Sequence, residues 1–514
     1  MGWENFGEVQ QRPLSAESRF ELRKRTIGLF LGPFAFLFAV FLLPHHQDIT
    51  LIGMRTLGIF AWVVLWWVTE PIPIPVTGLF GLALLALCGV FPVSRAFSSL
   101  GHWVVLFSLG ALIIAQAMTV NGLTRRFAYR MISFNFIRGR PWRLLSMFLV
   151  GTVILSSIVS DFVATVIFMA IGAGLLKALD IPPGSRFGEM FILSTAWAAL
   201  YGGMITPVGT PPNLIAIGLV SNTLNYQIGF ASWSLVGIPM AILGITVMLT
   251  VLRFSLKDEL GKIKIDSRVV RGERRKIGSI TRGEKIVGFG LLTAIVFWLA
   301  PDFSTAILGA DHPVSLGLHT HLNVSVVALL VATSMFLIPI NWREKQFPLT
   351  WKQAASGVDW GTLLLVAGAL GIGEALADPS VGVGRFLSSA LDTVSGPGTS
   401  PFFPLVVITL FMVFIANLIS NTAAMGIVGP IVLVIASAPG STLNPIAAII
   451  ATAMASSMSF MLPCSTPATA IVFSSGYVRI LTMFRKGFIL AVTGVVISTF
   501  VAYTLANLVF PWPN

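Results

Sequence analysis

Gly209-Thr210-Pro211-Pro212-Asn213 and Ser465-Thr466-Pro467-Ala468-Thr469 lie in two separate apolar stretches and read as one device built twice. In each, a proline precedes the threonine by three residues: Pro207 and Pro463. Proline removes a backbone donor and opens the helical hydrogen-bond ladder. At membrane depth, unwound backbone is tolerated only where it is buried in protein or lines a cavity. Two interrupted hydrophobic segments at matching places in two halves of a chain point to a binding site near the bilayer midplane.

Composition supports a membrane setting. Of 514 residues, 55% are hydrophobic and 11% charged, and the mean hydropathy is +0.87. Apolar runs of bilayer-spanning length recur from about residue 27 onward. The fold class expected is an all-α polytopic membrane protein. No cleavable signal peptide is expected, because a polar, charged tail precedes the first apolar run. The two cysteines, Cys88 and Cys464, suggest neither a disulfide framework nor a metal cluster.

The net charge of +12 is concentrated in a few polar segments, as the positive-inside rule expects, and does not suggest a nucleic-acid partner. Arg23, Lys24 and Arg25 precede the first span, so the N-terminus is expected to be cytoplasmic. Arg125, Arg126, Arg130, Arg138, Arg140 and Arg143, a block from Arg253 to Lys285 centred on Arg271, Arg274, Arg275 and Lys276, and Arg479, Arg485 and Lys486 fall on the same side. All six histidines (His45, His46, His102, His312, His319 and His321) then fall outside, as solvated loop residues rather than a metal cluster.

The spans expected are 27–44, 54–69, 74–92, 103–121, 187–219 (broken), 230–253, 284–300, 322–340, 360–376, 445–476 (broken) and 487–511, which makes about eleven transmembrane helices. An extracytoplasmic C-terminus follows. Stretches 145–177 and 402–438 are too long for one span, have polar centres, and read as re-entrant hairpins.

Gly110–Ala117 matches Gly368–Ala375, with Trp103 and Trp360 upstream; Ser160-Asp161-Phe162 matches Ser420-Asn421-Thr422; the proline pairs follow, all at offsets of 256–260 residues. Equivalent spans run in opposite directions, so this is an inverted-topology repeat. The organisation expected is a tail and first helix (1–53), repeat 1 (54–253), a cytoplasmic linker (254–283) and repeat 2 (284–514).

At these motifs the chain resembles the divalent anion/sodium symporter family of dicarboxylate, citrate and sulfate transporters. That family carries Ser-Asn-Thr at each hairpin tip, which Ser420-Asn421-Thr422 matches. Thr210-Pro211 and Thr466-Pro467 match its two Thr-Pro elements, and Thr69-Glu70-Pro71-Ile72-Pro73 its Thr-Glu-x-Ile-Pro turn. The resemblance implies a homodimer in which a scaffold holds a mobile domain of the hairpins and spans 5, 6, 10 and 11, moving as an elevator. It also implies Na+ as coupling ion. One cation set is Ser156, Ser160, Asp161 and the carbonyl of Gly209; the other is Asn421 with carbonyls of Ala416, Ile419 and Ser465. Ser160, Asp161, Thr210, Pro211, Ser420, Asn421, Thr422, Thr466 and Pro467 would form the substrate site. A bacterial inner membrane is the expected location.

The residues support such a site on their own. Half-helix ends present free N–H groups and a positive dipole to an anion. Hydroxyl, amide and carbonyl oxygens suit a hard cation. Ser420-Asn421-Thr422 can equally be a helix cap, and capping does not exclude binding.

Repeat 1 departs from the pattern. Phe162 removes a hydroxyl and adds bulk, and Asp161 places a carboxylate inside the membrane, where an ionisable group is a functional hypothesis by default. Three readings stay open: a charged cation ligand, a proton-binding group, or a cap that fills the anion hole. Gln116 and Glu374 read as helix-contact or dimer residues, and Asn417 as a ligand or a packing group.

The function expected is secondary active transport of a small divalent anion, a C4-dicarboxylate such as succinate or malate, or sulfate. The alternatives are a proton-coupled anion transporter, an anion exchanger, or a related arsenite or Na+/H+ transporter. No Ser/His pair, intramembrane histidine cluster or His-Glu-x-x-His pattern supports an enzyme.

Overall fold

The computed structural model describes residues 16–42, 49–134, 137, 139–261, 263, 277–383, 400–438 and 441–512. His45 and His46, Arg138, and the centre of the linker from Arg271 to Lys276 lie outside the described residues.

The regular structure of the described residues is helical, apart from one isolated β-bridge between Asn341 and Gln346. The first half opens with α1 (Ala16–Leu37), α2 (Leu51–Thr69), α3 (Ile74–Leu87), the short α4 (Val93–Ala96) and α5 (Trp103–Val120). Then come α6 (Leu123–Ile132), a first hairpin of α7 (Pro141–Ser156) and α8 (Asp161–Ala178), a broken pair α9 (Arg186–Gly203) and α10 (Pro211–Leu224), and α11 (Phe230–Leu256). The second half has α12 (Arg282–Leu308), α13 (Pro313–His321), α14 (Val324–Leu337), α15 (Trp351–Gly357) and α16 (Trp360–Ala377). A second hairpin, α17 (Phe402–Leu418) and α18 (Asn421–Ala436), precedes the broken pair α19 (Pro445–Ser456) and α20 (Pro467–Ser474), and α21 (Ile480–Val501). Helix pairs stand at both expected hairpins and both expected breaks, and α8 of the first hairpin is itself long and apolar enough to cross a membrane.

By length and hydropathy, eight described helices can cross a membrane, or nine if the bent pair α13–α14 counts as one. Fewer pass this test than the eleven spans expected, for a physical reason. α3 has only 14 residues, and the broken spans divide into pieces such as α10, α19 and α20 of 14, 12 and 8 residues.

Proline sets where these pieces start. Pro141, Pro211, Pro445 and Pro467 each stand at the beginning of a helix, where a missing N–H costs nothing. In the break between α9 and α10 the chain doubles back on itself. A Cβ on Gly209 would run into the Gly203 carbonyl oxygen, so glycine is needed at this close approach. The fully buried Asn213 holds the break shut by donating from Nδ2 to the carbonyls of Gly203 (2.8 Å) and Thr206 (2.8 Å).

Four helices, α4, α6, α13 and α15, were not expected from the sequence. The amphipathic α6 carries Arg125, Arg126 and Arg130 and buries Thr124, Ala128, Tyr129 and Ile132. It leads from α5 into the first hairpin. Arg126 pairs with the buried Glu284 of α12 at 2.6 and 2.9 Å and donates to the Gly278 and Ser279 carbonyls. Three of the described histidines make local contacts. His102 and His312 accept from the backbone N–H of Val104 and Val314, and His319 meets the Thr305 hydroxyl at 2.9 Å. Among the described residues, no three His, Cys, Asp or Glu side chains come together as a metal site.

Candidate functional site

Both hairpin tips and both proline-led half-helices meet around one cavity of about 340 Å³. Ser160, Asp161 and Phe162 line it from the first hairpin, Ser420, Asn421 and Thr422 from the second, and Pro211 and Pro467 from the half-helices. The opposite wall comes from α3, α5 and α16: Ile74, Pro75, Ser108, Ala111, Leu112, Asp359, Gly361, Thr362 and Leu365. Sequence reasoning did not place Asp359 or Thr362 here. Their signal is an N-cap: the Asp359 carboxylate accepts from Thr362 N (3.0 Å) and Oγ1 (2.6 Å) at the start of α16.

The two hairpin tips differ in how their N–H groups are satisfied. At the start of α8, Asp161 N donates to the Gly209 carbonyl (3.0 Å), Phe162 N to Asp161 Oδ1 (2.7 Å) and Val163 N to Ser160 Oγ (3.3 Å). The Thr210 hydroxyl donates to Asp161 Oδ2 at 2.9 Å. That helix end is closed by the protein's own groups. At the start of α18 no side chain caps the helix. Asn421, Thr422 and Ala423 find no acceptor for their backbone N–H among the described residues, and the first bond of the turn is Ala424 N to the Ser420 carbonyl (2.8 Å). Free N–H groups facing a cavity make an anion-binding end.

Thr210 and Thr466 stand behind the cavity wall and are buried. Thr210 is committed to Asp161. Thr466 forms a capping box with Thr469, whose N donates to Thr466 Oγ1 at 3.1 Å. Their role is to shape the half-helix ends, with Pro211 and Pro467 forming the surface.

The two candidate cation sets also differ. Ser156 Oγ donates to the Ala199 carbonyl (2.5 Å), and the Gly209 carbonyl accepts from Asp161 N. In the second set, Ser465 Oγ donates to the Ser459 and Leu462 carbonyls (3.1 and 2.6 Å), and Asn421 Oδ1 accepts from the Thr422 hydroxyl (3.2 Å). The carbonyls of Ala416 and Ile419, at the open end of α17, accept no backbone bond outside the helix. Carbonyl and amide oxygens left over at a helix C-terminus are a donor set that fits a hard cation.

Asn417 is a packing group. Its Nδ2 donates to the Val413 and Met458 carbonyls (2.8 and 2.9 Å), and its Oδ1 accepts from Met461 N (2.9 Å), tying α17 to the break after α19. Glu374 pairs with Arg95 of α4 at 2.8 Å, and Gln116 donates to the Gln353 carbonyl at 3.2 Å. Both make helix contacts away from the cavity.

Two hairpins and two broken helices meeting at one cavity are the architecture of a membrane transporter. The chain belongs to the family described as the sodium:sulfate symporter transmembrane region, which it matches over residues 24–512. It is 29% identical over 488 residues to the sodium-dependent dicarboxylate transporter SdcS of Staphylococcus saprophyticus, covering 93% of this chain and 91% of that one. To SdcS of Staphylococcus aureus strain USA300 it is 29% identical over 515 residues, covering 98% and 96%. In fold it is similar to the YdaH transporter of Alcanivorax borkumensis (TM-score 0.56, 16% identity, 89% of this chain and 99% of that one). A similar likeness holds to MtrF of Neisseria gonorrhoeae (TM-score 0.55, 12% identity, 90% and 96%).

Proposed function

We propose that the protein is a secondary active transporter that moves a small anion of the dicarboxylate or sulfate class across a bacterial inner membrane, coupled to Na+. The observation that carries this reading is the uncapped start of α18 facing the cavity beside Asn421 and Thr422. An anion seated there completes the orphan N–H groups and meets the positive end of the helix dipole. A sodium ion held by Asn421 and the carbonyls of Ala416, Ile419 and Ser465 would supply the positive charge that the cavity lining lacks. The family membership and the similarity to sodium-dependent dicarboxylate transporters support Na+ and a divalent anion.

In the orientation set by the positive-inside rule, Ile74, Pro75, Gly357, Asp359 and Gly361 lie at cytoplasmic helix ends, and all line the cavity. In this reading the cavity is the inward-facing one. The reading includes two inverted repeats with the bounds given above, a mobile domain of the hairpins with α9, α10, α11, α19, α20 and α21, elevator movement against the other helices, a homodimer and an extracytoplasmic C-terminus. The test is uptake of labelled succinate and labelled sulfate into proteoliposomes under an inward Na+ gradient, set against an equal K+ gradient. Accumulation of either with Na+ alone supports the proposal; uptake that ignores Na+ contradicts the coupling.

A further inference from the structure

The cavity has one open anion-binding end and one closed end. At α8 the three N–H groups that an anion would take are engaged by the Gly209 carbonyl, Asp161 Oδ1 and Ser160 Oγ. The one hydroxyl the half-helix α10 could have offered, that of Thr210, is given to Asp161 Oδ2. Asp161 is nine-tenths buried and still lines the cavity, so a carboxylate stands where the second anionic end of a substrate would sit. Phe162 lines the cavity beside it and adds an apolar ring. Among the described residues, the charged side chains lining the cavity are Asp161 and Asp359, both acidic; no Lys, Arg or His lines it.

An ionised carboxylate has only acceptors to offer. A partner for it must bring a donor, and a second anion pressed against it is rejected, which is how an unpaired like charge enforces selectivity. We propose that the substrate binds as a monoanion: one ionised group at the start of α18, and at its other end a neutral hydrogen-bond donor that gives to Asp161. This rests on the transport reading above and changes the charge state it assigns to the bound substrate. The same chemistry comes from two sources, a dicarboxylate carrying a proton on one end, or an acid whose far end is an amide or hydroxyl.

The test is calorimetric titration of the purified full-length protein in sodium chloride with four probes: succinate, succinamate, monomethyl succinate and sulfate. At about pH 8, far above carboxylic pKa values near 4, succinate is a dianion. Succinamate keeps one carboxylate and offers an amide N–H, whereas the methyl ester offers no donor. The wild type is expected to bind succinamate roughly tenfold more tightly than succinate, a difference of about 1.4 kcal/mol, with the ester weaker than succinamate. Asp161→Asn, which restores a neutral group with a donor, is expected to reverse the order of succinate and succinamate.

Two further results separate the sources, and both support the proposal. Succinate affinity that rises roughly tenfold per unit fall in pH while succinamate stays flat identifies the half-protonated dicarboxylate; weak succinate at every pH identifies a neutral-tailed acid. Succinate binding the wild type at least as tightly as succinamate at about pH 8 overturns the inference and leaves the transport reading standing. Failure of all four probes to bind either protein overturns that reading, and the inference with it. The wild-type probe series is decisive even where the variant does not fold.

Discussion

The Thr210 hydroxyl donates to Asp161 Oδ2 at 2.9 Å, joining the tip of the first hairpin to the start of the half-helix that follows the break. Both side chains are buried. Of the three readings open for Asp161 at the sequence level, this geometry favours the one in which its carboxylate fills its own anion hole. A hydrogen bond to a buried charged group contributes about 1.5–3 kcal/mol. Thr210→Val, which keeps the shape and removes the donor, is expected to lower stability by about that much. Thermal unfolding in detergent checks it. In an Asp161→Asn background the same substitution is expected to cost less, because the acceptor is no longer charged.

The open end of the cavity predicts the opposite sensitivity. Asn421→Ala removes an amide beside the unpaired N–H groups and is expected to abolish transport while the protein still unfolds cooperatively. Thr466→Ala breaks the capping box with Thr469 and is expected to lose transport together with about 1 kcal/mol of stability. Uptake and thermal melts on the same preparations separate the two effects.

Arg126 holds Glu284 in a two-point contact and also donates to two carbonyls. Glu284 is 3% exposed. Arg126→Ala leaves that carboxylate buried and unpaired, at an expected cost of about 3–5 kcal/mol. Lysine has no planar fork to match it, so Arg126→Lys is expected to restore only part of the loss, as read by denaturation.

Arg95 donates to Glu374 and pairs with Asp378 at 2.8 Å just beyond the end of α16. Burial acts to raise the Asp378 carboxyl, but bonds from Ser380 and Arg95 outweigh it and hold it below its ordinary value. A depressed carboxylate stabilises the fold above its unfolded pKa of about 3.9, and that gain is lost as pH falls through the lower folded value. Arg95→Ala should therefore lower the melting temperature at neutral pH. The gap to wild type should close in acid, below about pH 4, in a melting series against pH.

Asp302, near the end of α12, accepts from Ala231 N (2.7 Å) and Ser232 N (3.4 Å) at the start of α11. Under the proposed domain division this contact links scaffold to mobile domain and must change as the site moves. Asp302→Ala is expected to alter the transport rate more than the substrate affinity. Initial uptake rates and equilibrium binding, measured side by side, test this.

Much of this arrangement was legible in the chain because prolines, polar hairpin centres and long apolar runs are local signals. Pro207 and Pro463 marked both breaks, and Ser160 and Ser420 both tips. The opposite wall of the cavity was not legible. Ile74, Ser108 and Asp359 reach it through the packing of α3, α5 and α16, which no local pattern encodes. Thr210 and Thr466 carried the right motif, but a motif does not say whether a hydroxyl points into a cavity or back at its own helix. The amphipathic α6 was hidden by its arginines, which read as a topology signal and also anchor it through Glu284. Asn417 and Asn213 are similar residues in similar surroundings, and only their carbonyl partners show that both are staples.

The central claim is that an anion binds at the uncapped start of α18 and is driven by Na+. The direct measurement is Na+-gradient uptake of labelled succinate, with sulfate in parallel, in vesicles holding equal amounts of wild type, Asn421→Ala and Arg95→Ala. Na+-driven uptake in wild type and Arg95→Ala, absent in folded Asn421→Ala, is the predicted result. Undiminished uptake in Asn421→Ala would contradict the account.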